Sequence, residues 1–114
     1  MARYVPQQGD FVIANFDPQS GHEQSGRRPA LVISKTVFNR HTGLAMLCPI
    51  TNTFRNIPLH VAVPTGSKLT GYIMVEQIKS VDYASRKAKF VAKAPRATVE
   101  EVLSILDACI YDSA

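Results

Sequence analysis

The sequence contains little that would build a metal site or a disulfide framework. It has two cysteines and three histidines, and no group of them has the spacing of a zinc site. Cys48 lies in an apolar run and Cys109 in a helical pattern, so both are expected to be buried thiols that act as small hydrophobic side chains. We therefore predict no structural metal and no cofactor.

Long apolar runs are also missing, and no charged N-terminal segment leads into an apolar one. A membrane-spanning helix needs about 20 apolar residues, and a secretory signal needs that N-terminal pattern. We expect neither, and the cytoplasm is the predicted location. The remaining composition is that of a globular protein: 114 residues, 46% hydrophobic and 19% charged, suit one domain over residues 1–114. The net charge of +4 is compatible with a polyanionic partner but does not identify one.

Short apolar runs bounded by turn residues predict a mainly β protein. We predict strands over residues 11–16, 30–34, 44–48, 59–63, 71–75, 78–82 and 86–91, with one helical turn near residue 37. Thr98 and Glu101 have the spacing of a capping box, and apolar residues recur at helical spacing from 99 to 110. The expected fold is a small, strongly bent antiparallel sheet or partly open barrel with a C-terminal amphipathic helix. So small a core also favours a homodimer.

A polar loop over residues 21–29 separates the first two predicted strands and carries an unusual set of charges. It holds His22, Glu23, Arg27 and Arg28 but no aliphatic or aromatic residue. Loops held by a rigid scaffold are where binding and catalytic groups concentrate. Because Pro29 biases the preceding residue toward extended backbone, Arg28 is expected to project from the start of a strand. The alternative is a solvated hairpin loop with a chance cluster of charges.

Several segments, in collinear order, together resemble one family. They are Gly9-Asp10, Phe16-Asp17-Pro18, the stretch GHEQSGRRPALV over residues 21–32, Pro49-Ile50-Thr51-Asn52 and Val75-Glu76-Gln77-Ile78-Lys79-Ser80. In these segments the chain resembles the MazF/PemK family, the toxins of bacterial toxin–antitoxin pairs. The resemblance runs from about Tyr4 to the final helix.

This resemblance implies a sequence-specific, metal-independent endoribonuclease that acts on single-stranded RNA and is built as a dimeric SH3-like barrel. The family's catalytic arginine and threonine fall on Arg28 and Thr51. The implied reaction is attack by a ribose 2′-hydroxyl on the adjacent phosphate, which leaves a 2′,3′-cyclic phosphate and a 5′-hydroxyl. The implied partners are an antitoxin with an extended acidic segment and, for the toxin–antitoxin complex, its promoter DNA.

The residue types suit this chemistry. A guanidinium is a planar, permanently charged fork that can bind two phosphate oxygens, so Arg28 can stabilise the developing charge without a metal. The Thr51 hydroxyl can donate to the same phosphate or orient the 2′-hydroxyl. Its alternative role is a hydrogen bond to its own backbone, as in most loop threonines.

The residue that accepts the proton is not fixed by the sequence. His22 and Glu23 are candidates, and the competing roles are an exposed loop residue for His22 and an ion-pair partner of Arg28 for Glu23. We favour the structural role for Glu23. Proton transfer by Arg28 itself is physically difficult, because a guanidinium stays protonated near neutral pH.

Further residues are expected to bind RNA or support the site. Arg27 is expected to contact phosphate or rim the groove, and some relatives carry histidine at that position. The RNA-binding or supporting set also includes Asn52 and Gln77. Candidates for a basic track or for stacking on bases are Arg55, Lys79, Arg86, Lys87, Lys89, Phe54 and Tyr83. As alternatives, the basic residues are solvated surface charges and the aromatic ones belong to the core or a dimer contact.

Two other functions are compatible with the same barrel. One is a protein-binding toxin of the gyrase-poisoning type, which would not need Arg28 paired with Thr51. The other is a noncatalytic RNA-binding barrel.

Overall fold

Short apolar segments of the chain form one antiparallel sheet, which is flanked by two helices. The structure is a computed structural model that describes residues 3–16 and 26–112. The elements in chain order are β1 (Asp10–Asn15), β2 (Arg27–Val32), α1 (Thr36–Thr42), β3 (Leu44–Thr51), β4 (His60–Ala62), β5 (Tyr72–Met74), a 3-10 turn (Val75–Gln77), β6 (Lys79–Asp82), β7 (Lys89–Lys93) and α2 (Arg96–Ile110).

Strand β3 is the centre of the sheet and the place where it bends. One edge of β3 pairs with β2. Its other edge pairs with β6 along the first half, from Leu44 to Leu47, and with β5 along the second half, at Ile50 and Thr51. The sheet order is β4-β5-β3-β2-β1-β7, and no pairing among the described residues joins β4 to β7. The predicted fold class, a bent and partly open barrel, is confirmed.

Because side chains alternate across a strand, the sheet buries two apolar clusters. On one side, Phe11, Leu31 and Ile50 pack with Val102 of α2. On the other side, alternate residues of the same strands form a second cluster, which is completed by Val81 and Tyr83. The buried members of this second cluster are Val12, Ala14, Phe16, Ala30, Val32, Ala45, Leu47, Val81 and Tyr83. The Tyr83 hydroxyl also donates to the Asn39 carbonyl. Of the two roles considered for Tyr83, the structure therefore supports the core one.

Helix α2 begins earlier than the capping box predicts. Pro95 is its N-cap, and the Pro95 carbonyl accepts hydrogen bonds from the backbone N–H groups of Thr98 and Val99. Thr98 lies buried inside the first turn, and no side chain caps the helix. The predicted capping box is wrong because Thr98 is already the third residue of the helix, and its N–H is bonded to the Pro95 carbonyl.

The predicted apolar stripe of α2 is too long. Val99 and Val102 are buried, but Cys109 is exposed and the Ile110 side chain is 76% exposed. The predicted burial of Cys109 is wrong, whereas Cys48 is fully buried as predicted. The last turn of α2 is exposed, so helical spacing there does not produce burial.

Two other elements differ in their limits. Strand β7 begins at Lys89, not at residue 86, because residues 83–87 form a turn in which Lys87 adopts a φ of 55°. Helix α1 has seven residues where one turn was predicted, and Gly43, with a φ of 75°, ends it. None of the helices in the described part of the chain is long and apolar enough to cross a membrane.

Candidate functional site

Arg28 and Thr51 come together on one face of the sheet. The β2–β3 register pairs Val32 with Leu47 and Ala30 with Pro49. Extending it by two residues sets Arg28 opposite Thr51, with both side chains on the same face. Both residues line an open cleft of about 440 Å³. The rest of the cleft lining consists of Arg55, Ile57, His60, Met74, Glu76 and Gln77.

Strand pairing puts this face on the outer side of the part of the sheet formed by β3, β5 and β4. Thr51 is paired with Tyr72, and His60 with Met74. The neighbouring residues Ile50, Val61 and Ile73 point the other way, into the cluster beneath α2. The cleft is thus the polar outer surface of a sheet whose inner surface is core, which gives its side chains a rigid mount.

The two adjacent arginines of β2 have different surroundings. The Arg27 guanidinium donates to the carbonyls of Ile13, at 3.0 Å, and Lys87, at 2.8 Å, and also to the side chain of Asn15. Among the residues the structure describes, Arg28 has no hydrogen-bond or ion-pair partner, and it is half-buried in the cleft. Arg27 is not among the residues that line this cleft, and its donors hold β1 and the turn before β7. Its predicted contact with RNA phosphate or with the groove rim stays a prediction.

Thr51 makes the backbone contact expected of a loop threonine and still has a donor to offer. Its hydroxyl oxygen accepts the Thr53 N–H at 3.1 Å. A hydroxyl that accepts one hydrogen bond keeps its own hydrogen for another acceptor. The two roles considered for Thr51 are therefore compatible, because the backbone contact fixes the oxygen and leaves the O–H available to a ligand.

Two cleft residues with functional chemistry were missed by the sequence reasoning. His60 Nε2 lies 2.9 Å from Glu76 Oε2, and the two side chains are 5% and 28% exposed. The alternation of His60 with the buried Val61 was the available signal, because it puts His60 on the outer face of β4. This alternation does not reveal that Glu76, which follows β5, contacts His60 on that face.

The cleft continues into a smaller pocket of about 210 Å³ that has aromatic walls. The Phe54 and Tyr72 rings lie 5.5 Å apart at 59°, and Phe54 is 66% exposed. Arg55 lines both the cleft and the pocket. Asn52 lies one step further along the same surface, where its side-chain oxygen accepts a hydrogen bond from the Thr70 hydroxyl.

The other predicted site residues lie in different parts of the molecule. Gln77 lines the cleft beside Arg28. Lys79 does not line it, and its ammonium lies 5.7 Å from the centre of the Phe16 ring. His22 and Glu23 fall outside the described residues. The basic side chains of residues 86, 87 and 89 belong to the turn before β7 and to β7 itself, at the end of the sheet opposite β4.

The charges of the cleft suit an anionic ligand whose reaction needs a proton acceptor nearby. Arg28 and Arg55 line the cleft together with one carboxylate residue, Glu76. Across residues 3–16 and 26–112, no three His, Cys, Asp or Glu side chains are grouped so that they could hold a metal ion. The arrangement can bind a phosphate between a guanidinium and a hydroxyl, with a carboxylate in reach of the same cleft.

Comparisons with known proteins identify relatives over most of the chain. A family model described as "PemK-like, MazF-like toxin of type II toxin-antitoxin system" matches residues 7–110. The chain is 38% identical over 112 residues to the endoribonuclease toxin ChpB of Escherichia coli, covering 91% of this chain and 93% of that protein. It is 36% identical over 88 residues to the E. coli endoribonuclease toxin MazF, covering 77% and 78%. A crystal structure of MazE–MazF from Deinococcus radiodurans superposes with a TM-score of 0.87 at 40% identity, covering 95% of this chain and 97% of that one.

Proposed function

This chain belongs to the PemK-like, MazF-like toxins of type II toxin–antitoxin systems, and from that premise we propose that it is an endoribonuclease that cleaves single-stranded RNA at specific sequences. The observation that carries the proposal is the guanidinium of Arg28, which has no protein partner among the described residues and shares an open cleft with Thr51. An unpaired, half-buried guanidinium is costly to keep unless a ligand completes it. A phosphodiester has the charge and the paired oxygens to do so.

The reaction is cleavage by the RNA's own 2′-hydroxyl. Its oxygen attacks the adjacent phosphorus, the bond from phosphorus to the 5′-oxygen breaks, and the products carry a 2′,3′-cyclic phosphate and a 5′-hydroxyl. Arg28 and Thr51 stabilise the charge that develops on the phosphoryl oxygens. No metal is needed for this step, because the guanidinium supplies the fixed positive charge.

Two protons have to move. The 2′-hydroxyl loses one as it attacks, and the departing 5′-oxygen gains one from water. Among the described residues of the cleft, Glu76 is the carboxylate, and we assign it as the acceptor of the 2′-hydroxyl proton. His22 and Glu23, the acceptors considered from the sequence, remain predictions.

The neighbouring pocket serves the unpaired bases. The exposed Phe54 ring and its partner Tyr72 offer an aromatic face next to the reaction cleft. Base–aromatic stacking of this kind is worth roughly 1–3 kcal/mol per base. Arg55, which lines both spaces, is placed to bind the connecting phosphate.

The partners follow from the family. An antitoxin binds this chain, since the similar MazF of Deinococcus radiodurans was crystallised with MazE. The acidic segment of that antitoxin occupies the cleft that RNA would use. The toxin works as a homodimer in the cytoplasm, and promoter DNA is bound only by the toxin–antitoxin complex. All of these are part of the proposal.

One assay tests the function. Purified protein is incubated with a mixed-sequence RNA in EDTA, and the new ends are sequenced and chemically identified. Specific cuts with cyclic phosphate ends, absent with Arg28→Ala, are the expected result. Intact RNA with a retarded gel band would instead identify a binding protein, and intact RNA with gyrase-dependent DNA breaks would identify a gyrase poison.

A further inference from the structure

The contact between His60 and Glu76 joins the start of β4 to the 3-10 turn after β5, within the reaction cleft. His60 begins β4, its side chain is 5% exposed, and its Nε2 lies 2.9 Å from Glu76 Oε2. An ionised carboxylate accepts hydrogen bonds and has none to donate, so Nε2 carries the hydrogen in this contact. Glu76 is the more exposed partner and therefore the one that meets a substrate.

We infer that His60 is a positioning residue for RNA cleavage, whose Nε2–H holds the Glu76 carboxylate so that Oε1 can take the 2′-hydroxyl proton. This inference rests on the proposed function. It also explains an otherwise unfavourable residue: His60 Nδ1 is buried and has no hydrogen-bond partner among the described residues. A leucine or phenylalanine at this position would bury no unsatisfied atom, so the value of the imidazole lies in its other nitrogen.

The surroundings of Glu76 show why it needs a partner other than the two arginines. Arg28 and Arg55 line the same cleft, and either guanidinium could form an ion pair with a long, rotatable carboxylate. A Glu76–Arg28 pair would occupy the group that has to bind phosphate. In the structure the Glu76 carboxylate is bonded to His60. His60 thus holds the proton acceptor and keeps it from neutralising Arg28.

Substitution of both partners separates positioning from a general structural role. The single-turnover cleavage rate is measured at saturating protein for wild type, His60→Phe, His60→Gln, Glu76→Gln and His60→Phe/Glu76→Gln. We expect His60→Phe to lower the rate by about ten- to a hundredfold. His60→Gln keeps an N–H donor near the Nε2 position and should recover most of that loss. In the Glu76→Gln protein, His60→Phe should cost less than about threefold, because His60 acts through Glu76.

The outcomes are distinct. Equal losses from His60→Phe in both backgrounds, or full activity of His60→Phe, would overturn the positioning role while leaving the nuclease assignment intact. A wild-type protein that does not cleave RNA would overturn both. If His60→Phe does not fold, long-range ¹H–¹⁵N spectra of the wild-type imidazoles decide: hydrogen on Nε2 of His60, lost or shifted in Glu76→Gln, supports the inference, and hydrogen on Nδ1 alone refutes it.

Discussion

Arg27 and Arg28 are adjacent in β2, but Arg27 is bonded to two backbone carbonyls while Arg28 faces an open cleft beside Thr51. Alternation along a strand sends neighbouring side chains to opposite faces, and the pairing of β2 with β1 and β3 makes those faces chemically different. One arginine therefore stabilises the fold and the other is available to a ligand.

This contrast supplies a matched pair of variants. We expect Arg28→Ala to lower RNA cleavage by at least about a hundredfold and to leave the free energy of unfolding equal to or above that of wild type, because an unpaired, half-buried charge is removed. Arg27→Ala should lower the free energy of unfolding by about 1 kcal/mol, because the Ile13 and Lys87 carbonyls lose the hydrogen bonds that they accept from this exposed guanidinium. The variant should keep most of the cleavage activity. Urea unfolding and a cleavage assay on both proteins provide the check. The reverse pattern would show that the two arginines have been assigned the wrong roles.

Thr51 allows a test of the hydroxyl alone. Thr51→Ala removes both the donor to phosphate and the acceptor of the Thr53 N–H, and we expect a rate loss of about tenfold to a thousandfold. Thr51→Ser keeps both contacts and should remain within about tenfold of wild type. If serine is as inactive as alanine, the hydroxyl is not the group that matters.

Much of the fold is readable from the sequence because each strand is a short run of apolar residues between turn residues. The errors occur where local signals compete. Thr98 and Glu101 have capping-box spacing, but Pro95 starts the helix first. Cys109 and Ile110 continue the helical pattern after the sheet beneath α2 has ended, so they are exposed.

The site was only partly predictable. Arg28 and Thr51 were identified through the resemblance, and the register of β2 with β3 supplies the physical reason that they meet. His60 and Glu76 were missed because their contact depends on the pairing of β4 with β5, which local sequence does not specify. The different surroundings of Arg27 and Arg28 were not predicted, because the apolar run that predicts β2 begins at residue 30. A strand that begins at Arg27 would have put the two arginines on opposite faces.

The aromatic pocket predicts an effect on RNA binding that is separate from chemistry. Phe54→Ala should weaken binding of a noncleavable 2′-deoxy-substituted RNA by roughly tenfold, since one stacked base is lost. Phe54 is 66% exposed, so stability should not change. Phe90→Ala is the control, because Phe90 is an exposed aromatic residue on β7 that packs on Tyr4 away from the cleft. Equal affinities of the two variants would argue against a base site at Phe54.

Cys48 predicts how stability depends on alkaline pH. Burial, with a smaller contribution from the negative charge of Glu76, raises the pKa of the Cys48 thiol from 9.0 to about 12. Above pH 9 the unfolded chain therefore loses this proton while the folded protein keeps it, so the free energy of unfolding falls by about 1.4 kcal/mol per pH unit between pH 9 and 12.

Cys48→Val isolates this contribution. Burial beside Asp10 also raises the pKa of Tyr4, but that residue is the same in both proteins, so the difference in slope belongs to Cys48. The wild-type slope above pH 9 should be steeper than that of Cys48→Val in urea unfolding followed by circular dichroism. Parallel curves would mean that the Cys48 thiol titrates normally in the folded protein.

Gly71 is the residue that lets β5 approach the carbonyl of Thr51. Its φ is 124°, and a Cβ there would lie 2.5 Å from the Thr51 carbonyl oxygen and 3.1 Å from the Asn52 side-chain oxygen. Gly71→Ala must therefore strain the backbone and push β3 from β5, which carries Thr51 away from Arg28. We expect a loss of roughly 2–4 kcal/mol in unfolding free energy and a fall in the cleavage rate even where the protein is fully folded.

Gly66→Ala separates backbone strain from displacement of the site. Gly66 also has a positive φ, 90°, but a Cβ there meets nothing within 4 Å. Gly66→Ala should lower the free energy of unfolding by about 1–2 kcal/mol through backbone strain alone. Its cleavage rate per folded molecule should stay near that of wild type. Rates are compared at a temperature at which both variants are folded by circular dichroism. If Gly71→Ala then cleaves as fast as Gly66→Ala, the position of Thr51 does not depend on the close packing of β3 against β5.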